Sequence, residues 1–174
     1  ILARIYFISG NEALFDIIQH EAQTLISSGL PYRVFFGRCS LAITAVRKGD
    51  ASRSADLYSA LDSERGTFVV ATDLAVDHLL GLLSRTMGNL DQAVAHFVDA
   101  VALCRKAGYR PELAWTCSDY AEMLLDRPDP PRSSGTGDRE KAIELQDEAL
   151  AITQELEMRP LTERILARWE ILRA

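Results

Sequence analysis

The chain has 174 residues, 48% of them hydrophobic and 25% charged, which is enough for a sizeable core and ordinary for a soluble globular protein. Twenty-five acidic against nineteen basic residues give a net charge of −6, which opposes a phosphate backbone and argues against nucleic acid as a partner. No apolar run reaches the ~20 residues that span a bilayer, so no membrane partner is expected either.

Ile1–Ser9 has the register of the last turns of a helix that stops at Gly10. It lacks the basic start and cleavage site of a signal peptide. With an isoleucine at position 1, the chain reads as a fragment whose first hairpin is truncated. Three cysteines without a CxxC pair suit a reducing compartment, and the expected location is cytoplasmic.

Helices are then expected at about 12–28, 32–48, 51–64, 67–87, 90–107, 111–126, 138–157 and 161–173, with ends uncertain by ~2–4 residues. Val69-Val70 is β-branched but falls inside the helical period assigned to 67–87. Between helices a Gly-Asn or Gly-Asp pair recurs: Gly10-Asn11, Gly49-Asp50, Gly88-Asn89 and Gly137-Asp138. The first three are 39 residues apart and the fourth follows after 49. A glycine can take the left-handed conformation that ends a helix, and the Asn or Asp after it can cap the next one.

The residues after each turn keep step. Five on from the glycine stand Phe15, Ser54, Ala93 and Ala142; twelve on stand Ala22, Leu61, Ala100 and Ala149. The extra ten residues fall in Asp126–Gly137, where three prolines, two serines and two glycines predict an exposed mobile insertion at 127–137. Two readings suit it: a docking or modification site at Ser133, Ser134 or Thr136, and an ordinary surface insertion that tolerates change. After Pro160, Leu161, Ile165, Leu166, Trp169 and Leu172 form one side of a last helix, while Glu163, Arg164, Arg168 and Arg173 form a solvated side, as on a terminal cap. The acid excess of residues 111–174 reads as a solvated helical face.

Gly81, Ala93, Phe97, Ala100 and Pro111 set small and bulky residues at fixed positions of a helical hairpin, and this pattern resembles the tetratricopeptide (TPR) repeat. The resemblance implies an all-α fold: a right-handed α-α superhelix, or solenoid, with a ~39-residue period and a C-terminal capping helix. One repeat domain over 1–174 would hold a truncated repeat 1–31, repeats at about 32–66, 67–110 and 111–159, and a cap at 160–174. The long period, and the stretch from Gly137 through Leu161, are similar to C-terminal regions of large bacterial signalling proteins that join an ATPase to a cyclase, a kinase or a LuxR-type DNA-binding domain.

If Ala42, Gly81 and Tyr120 are equivalent, so are Cys39, His78 and Cys117, a position that lines the concave groove in TPR proteins. Ile43, Leu82 and Ala121 follow four residues on, then Val46, Arg85 and Leu124, with Arg47 nearby. Three soft ligands in a row invite a metal reading. Neighbouring helices pack about 8–10 Å apart, however, and one tetrahedral ion with bonds of about 2.0–2.3 Å cannot collect all three. No metal or cofactor is expected. His96 and Asp99 share a helix face at i,i+3 without a third ligand, and the common hydrolase and nucleotide-binding motifs are missing, so an enzyme is not expected. The expected function is a protein-interaction or regulatory scaffold that binds a helix or peptide segment, which another domain of the same protein could supply. Oligomerisation is compatible with it. The alternative is a sensor that binds a small inducer in the same apolar groove.

Overall fold

A computed structural model describes residues 2–69, 74–127 and 135–173, with no account of the side chains of Thr136 and of 169–173. Ser133, Ser134, the Thr136 side chain and most of the expected insertion lie outside the described residues. So do Val70 and the side chains of Trp169, Leu172 and Arg173.

The described chain is almost entirely helical: α1 Leu2–Ser9, α2 Phe15–Ser27, α3 Pro31–Lys48, α4 Ala51–Leu61, α5 Val76–Thr86, α6 Leu90–Ala107, α7 Arg110–Asp126, α8 Gly135–Glu155 and α9 Arg159–Arg173. The all-α expectation stands. The chain divides into two compact units, residues 1–99 and 100–174, with the boundary inside α6.

In the first unit the turns are built as the glycine period requires. Gly10, Gly49 and Gly88 have φ of 64°, 66° and 81°, all left-handed. At Gly49 the N–H of Asp50 reaches back to the Ala45 carbonyl at 3.0 Å, and the Asp50 carboxylate accepts the Arg53 N–H at 3.0 Å. One dipeptide thus closes α3 and opens α4. Asn11 does the same for the 3-10 turn Glu12–Leu14, accepting the Ala13 N–H at 3.1 Å. Pro31 starts α3, where its missing N–H has no partner to lose.

Helix α3 is the centre of this unit, packing against α1, α2, α4 and α5. Tyr6, Ile18, Ala22, Ala42, Leu61, Leu79 and Leu83 are all buried in its core. A leucine so placed contributes about 1.5–3 kcal/mol. At Gly37, α3 lies so close to α2 that an added Cβ would sit 2.7 Å from the Ala22 carbonyl.

One expected helix is corrected. The helix predicted over 67–87 starts only at Val76, because Phe68–Val69 and Leu74–Ala75 pair as antiparallel strands β1 and β2. Left-handed Gly66 (φ 71°) stops any helix entering from α4. The Asp77 carboxylate accepts the Gly66 N–H at 2.6 Å, tying the foot of the hairpin to the first turn of α5.

In the second unit α7 packs on α8 and α8 on α9, around Cys104, Ala114, Cys117, Met123, Leu145, Ala149, Leu161 and Ile165. Two expectations change here. Gly137 is not a left-handed turn, since α8 has already begun at Gly135 and carries Gly137 in its first turn. A glycine there costs about 1 kcal/mol against alanine and is tolerated. Arg164 does not simply face solvent: its guanidinium bonds Asp119 at 2.6 Å and Glu122 at 2.7 Å and lies over the Trp115 ring at 5.7 Å. The Asp119 side chain is 1% exposed, so this arginine neutralises a buried carboxylate. Arg168 likewise bonds Asp126.

Candidate functional site: an apolar groove on the first unit

An open apolar groove lies between α2 and the N-terminal half of α3. Its volume is about 500 Å³. Helix α2 contributes Ile17, Ala22 and Leu25; α3 contributes Tyr32, Phe36, Cys39 and Ile43. One end is closed by Leu2 and Ala3 of α1, and Val69 of β1 also reaches it. Among the described residues, Glu21 and Arg33 are the only charged ones lining it. The floor is buried, while the walls are not: Ile17 is 49% exposed and Tyr32 62%. Leu2, Ile5, Ile8 and Leu30 are further large hydrophobic residues left in contact with water on α1 and the α2–α3 turn.

Three small residues, Ala3, Ala42 and Gly81, stand 39 apart, so the described α1 is in register with the second half of α3.

Of the residues expected to line a binding surface, Cys39 and Ile43 do line this groove. His78 and Leu82 sit within α5 as core, the His78 ring facing Phe97 at 5.9 Å between centroids. Val46 is half-buried against the first-unit core. The Arg47 guanidinium lies against Gly10, and Arg85 is half-buried near the end of α5. Cys117, Ala121 and Leu124 are buried within α7 of the second unit. Most of this set is therefore interior rather than an open wall, because α3, α5 and α7 are each packed on more than one side. Burial, with Glu64 adding to it, pushes the Cys39 thiol up to about 12; burial and Glu148 push Cys117 up as well. Neither is a ready thiolate nucleophile or metal ligand.

Sequence spacing missed a second constellation. His96 does not act with Asp99; its Nε2 lies 2.8 Å from the Tyr58 hydroxyl and its Nδ1 3.5 Å from the Asp77 carboxylate. Arg65 and Gln92 each donate to the same hydroxyl at 2.9 Å. Burial raises the Asp77 carboxyl, but His96, the Gly66 N–H and Arg65 together outweigh it and leave its pKa below the usual carboxylate range. These partners are separated by 19 and 38 residues, so only the folded hairpins bring them together. An acid, an imidazole and a phenol in line resemble proton-transfer machinery. His96 itself is buried, at 2% exposure, and is not among the residues lining the groove.

Among the described residues no group of three or more His, Cys, Asp or Glu is arranged to hold a metal ion, and no helix is long and apolar enough to cross a membrane. No protein-family model, curated protein or solved structure matches this chain.

Proposed function

We propose that this chain is a non-catalytic, TPR-like interaction and regulatory module of a larger bacterial-type signalling protein, and that it binds a helix or peptide segment along the groove between α2 and α3. The observation that carries this reading is a long apolar groove whose walls, Ile17 and Tyr32, face water. A surface of this kind suits a protein segment that brings its own apolar stripe. Such a module regulates by linkage: a segment shifts the state of the whole protein only as far as it binds one state better than another.

A volume of about 500 Å³ also falls in the range of small-ligand sites, which favours a sensor as the second reading. The open walls weigh against it, because a small ligand is held mainly by enclosure. The two separate in one experiment. A displayed peptide library is selected on the wild-type chain and counter-selected on Ile17→Glu, and a set of small apolar ligands is screened by thermal shift. Peptides that lose at least about tenfold in affinity on Ile17→Glu support the module. Thermal shifts from small ligands, with no groove-dependent peptide, would support the sensor.

A further inference from the structure

We infer that His96 is a proton-operated switch: neutral, it accepts from the Tyr58 hydroxyl, and protonated, it becomes a third donor to the Tyr58 oxygen and displaces Arg65 from it.

The hydrogen-bond capacity of one oxygen supplies the argument. A phenol offers one proton and two acceptor positions. Three nitrogens surround the Tyr58 oxygen: Nη2 of Arg65 and Nε2 of Gln92 at 2.9 Å, and Nε2 of His96 at 2.8 Å. A guanidinium and an amide nitrogen only donate, so Arg65 and Gln92 fill both acceptor positions. The contact to His96 is therefore satisfied only while its Nε2 carries no hydrogen. A proton placed there leaves three donors competing for two positions.

Burial and charge decide which donor leaves. His96 is 2% exposed, and Gln92, one turn before it on α6, has its amide oxygen held by the Ser84 hydroxyl at 3.3 Å. The Arg65 side chain is 50% exposed, and it keeps the Asp62 carboxylate, at 2.8 Å from its Nε, when it leaves the phenol. Two cations aimed at one oxygen also repel each other.

The groups facing His96 can support its charge. Asp77 of α5 lies 3.5 Å from Nδ1, and Asp62 acts on the ring from the 3-10 turn Asp62–Glu64. Arg65, from the turn that follows, opposes them. Tyr58 of α4 hands its phenol proton to Asp62 when Nε2 no longer accepts it. Histidine is the side chain suited to such a step between pH 5 and 8.

Arg65 precedes left-handed Gly66, and β1 follows at Phe68–Val69. Its release removes one contact that fixes this turn and leaves the bond from the Gly66 N–H to Asp77. Val69 lines the groove, so the switch alters the groove's end. That last step rests on the docking reading above; the switch itself does not.

The test is an NMR titration of the full chain from pH 8 to 5, with nitrogen-15 in histidine and arginine and carbon-13 in the valine methyls. Expected is a hydrogen gained at His96 Nε2, with Arg65 guanidinium and Val69 methyl signals moving at the same midpoint. Arg65→Gln, at an exposed site, replaces the competing cation with a neutral group and is expected to raise that midpoint by about half a pH unit or more. Tyr58→Phe removes the shared oxygen, and Arg65 is then expected to stay silent while His96 still titrates. Arg65 signals that stay constant while wild-type His96 titrates would overturn the switch. So would a folded chain in which His96 does not titrate, or an Arg65→Gln midpoint equal to that of the wild type. If Arg65 responds and Val69 does not, the reach to the groove is overturned. None of these results bears on the peptide selection, so the switch and the docking reading fail separately.

Discussion

The Tyr58 hydroxyl lies 2.8 Å from Nε2 of His96, while Nδ1 of the same ring faces the Asp77 carboxylate at 3.5 Å. An ionised carboxylate only accepts, so a neutral His96 carries its hydrogen on Nδ1 and leaves Nε2 to accept from the Tyr58 hydroxyl. Arg65 and Gln92 both donate to the Tyr58 oxygen, and the Asp62 carboxylate competes for its proton. Nitrogen-15 NMR of the ring is expected to show the Nδ1–H tautomer. Tyr58→Phe leaves Nε2 buried without its partner and is expected to cost about 1–3 kcal/mol in urea unfolding. An unchanged midpoint, or the Nε2–H tautomer in the wild-type chain, would refute this assignment.

The same network makes the first unit sensitive to acid. An unfolded aspartate titrates near pH 3.9. Asp77 is held below the usual range in the folded state, so as the pH falls the unfolded chain binds a proton first. Its contribution is fully present above about pH 4 and is lost as the pH drops through its folded value. Asp77→Asn is expected to lower stability at neutral pH and to flatten the dependence below pH 5. An Asp77→Asn profile parallel to the wild type through this window would remove Asp77 from the account.

Most helices and the glycine turns at Gly10, Gly49 and Gly88 could be read from local sequence because each depends on a few neighbouring residues. Gly49-Asp50 works through φ at one residue and a carboxylate three positions from its donor. The hairpin at 68–75 was hidden because Val69 and Leu74 also fit a helical period, and only Gly66 and its bond to Asp77 decide against the helix. Most of the residues expected to line a groove are interior instead, because the 39-residue spacing that pairs Cys39 with His78 and Ile43 with Leu82 does not tell which face of a packed helix stays open. The Tyr58–His96–Asp77 set was invisible because its members meet only across hairpins.

Gly37 shows how tightly α2 and α3 meet beneath the groove. A Cβ there would lie 2.7 Å from a backbone oxygen and 2.8 Å from Ile26 Cγ1, and the backbone cannot move aside cheaply. Gly37→Ala is therefore expected to cost about 1–3 kcal/mol through overpacking, despite alanine's better helix propensity. Gly49→Ala separates the two effects, since nothing lies within 4 Å of its Cβ and its cost comes from the left-handed φ alone. Denaturant midpoints of the two variants give the comparison. A stabilised Gly37→Ala would mean that the helices are not in close contact.

Cys39, Cys104 and Cys117 are all buried, and burial pushes Cys39 and Cys104 up to about 12. The Cys117 thiol also donates to Glu148 at 3.7 Å. An unfolded thiol ionises near pH 8.5, so above that value the unfolded chain loses protons that the folded chain keeps. Stability is full below about pH 8.5 and falls as pH rises toward the folded values. The urea midpoint is expected to decline from pH 9 to 11, and less so in Cys39→Ala/Cys117→Ala. Ellman's reagent at pH 8 is expected to find all three thiols only after denaturant is added. Rapid labelling of the folded chain would show that the thiols are accessible.

Glu157 is the one non-glycine among the described residues with a positive φ, 53°. It stands three residues before Pro160, just as Gly108, with φ 71°, stands three before Pro111. Both close a helix in the same way. The Tyr109 N–H reaches the Cys104 carbonyl at 2.9 Å, and the Met158 N–H reaches that of Thr153 at 2.8 Å. The second turn therefore keeps its hydrogen bond while paying the crowding of a Cβ in the left-handed region, about 1–2 kcal/mol. Part of that gain is offset in a glycine variant by the freer unfolded chain, which costs roughly 0.4–1 kcal/mol. The Glu157 side chain is exposed and makes no hydrogen bond or ion pair among those described, so little else is lost. Glu157→Gly is expected to raise stability by about 0.5–1 kcal/mol, and Glu157→Asn to leave it unchanged or slightly higher, since asparagine tolerates this conformation. Glu157→Val should fall below both, because a β-branched side chain is the least suited to a left-handed turn. Thermal midpoints in this order would establish the strain at the α8–α9 turn; a glycine variant less stable than the wild type would show that the turn carries none.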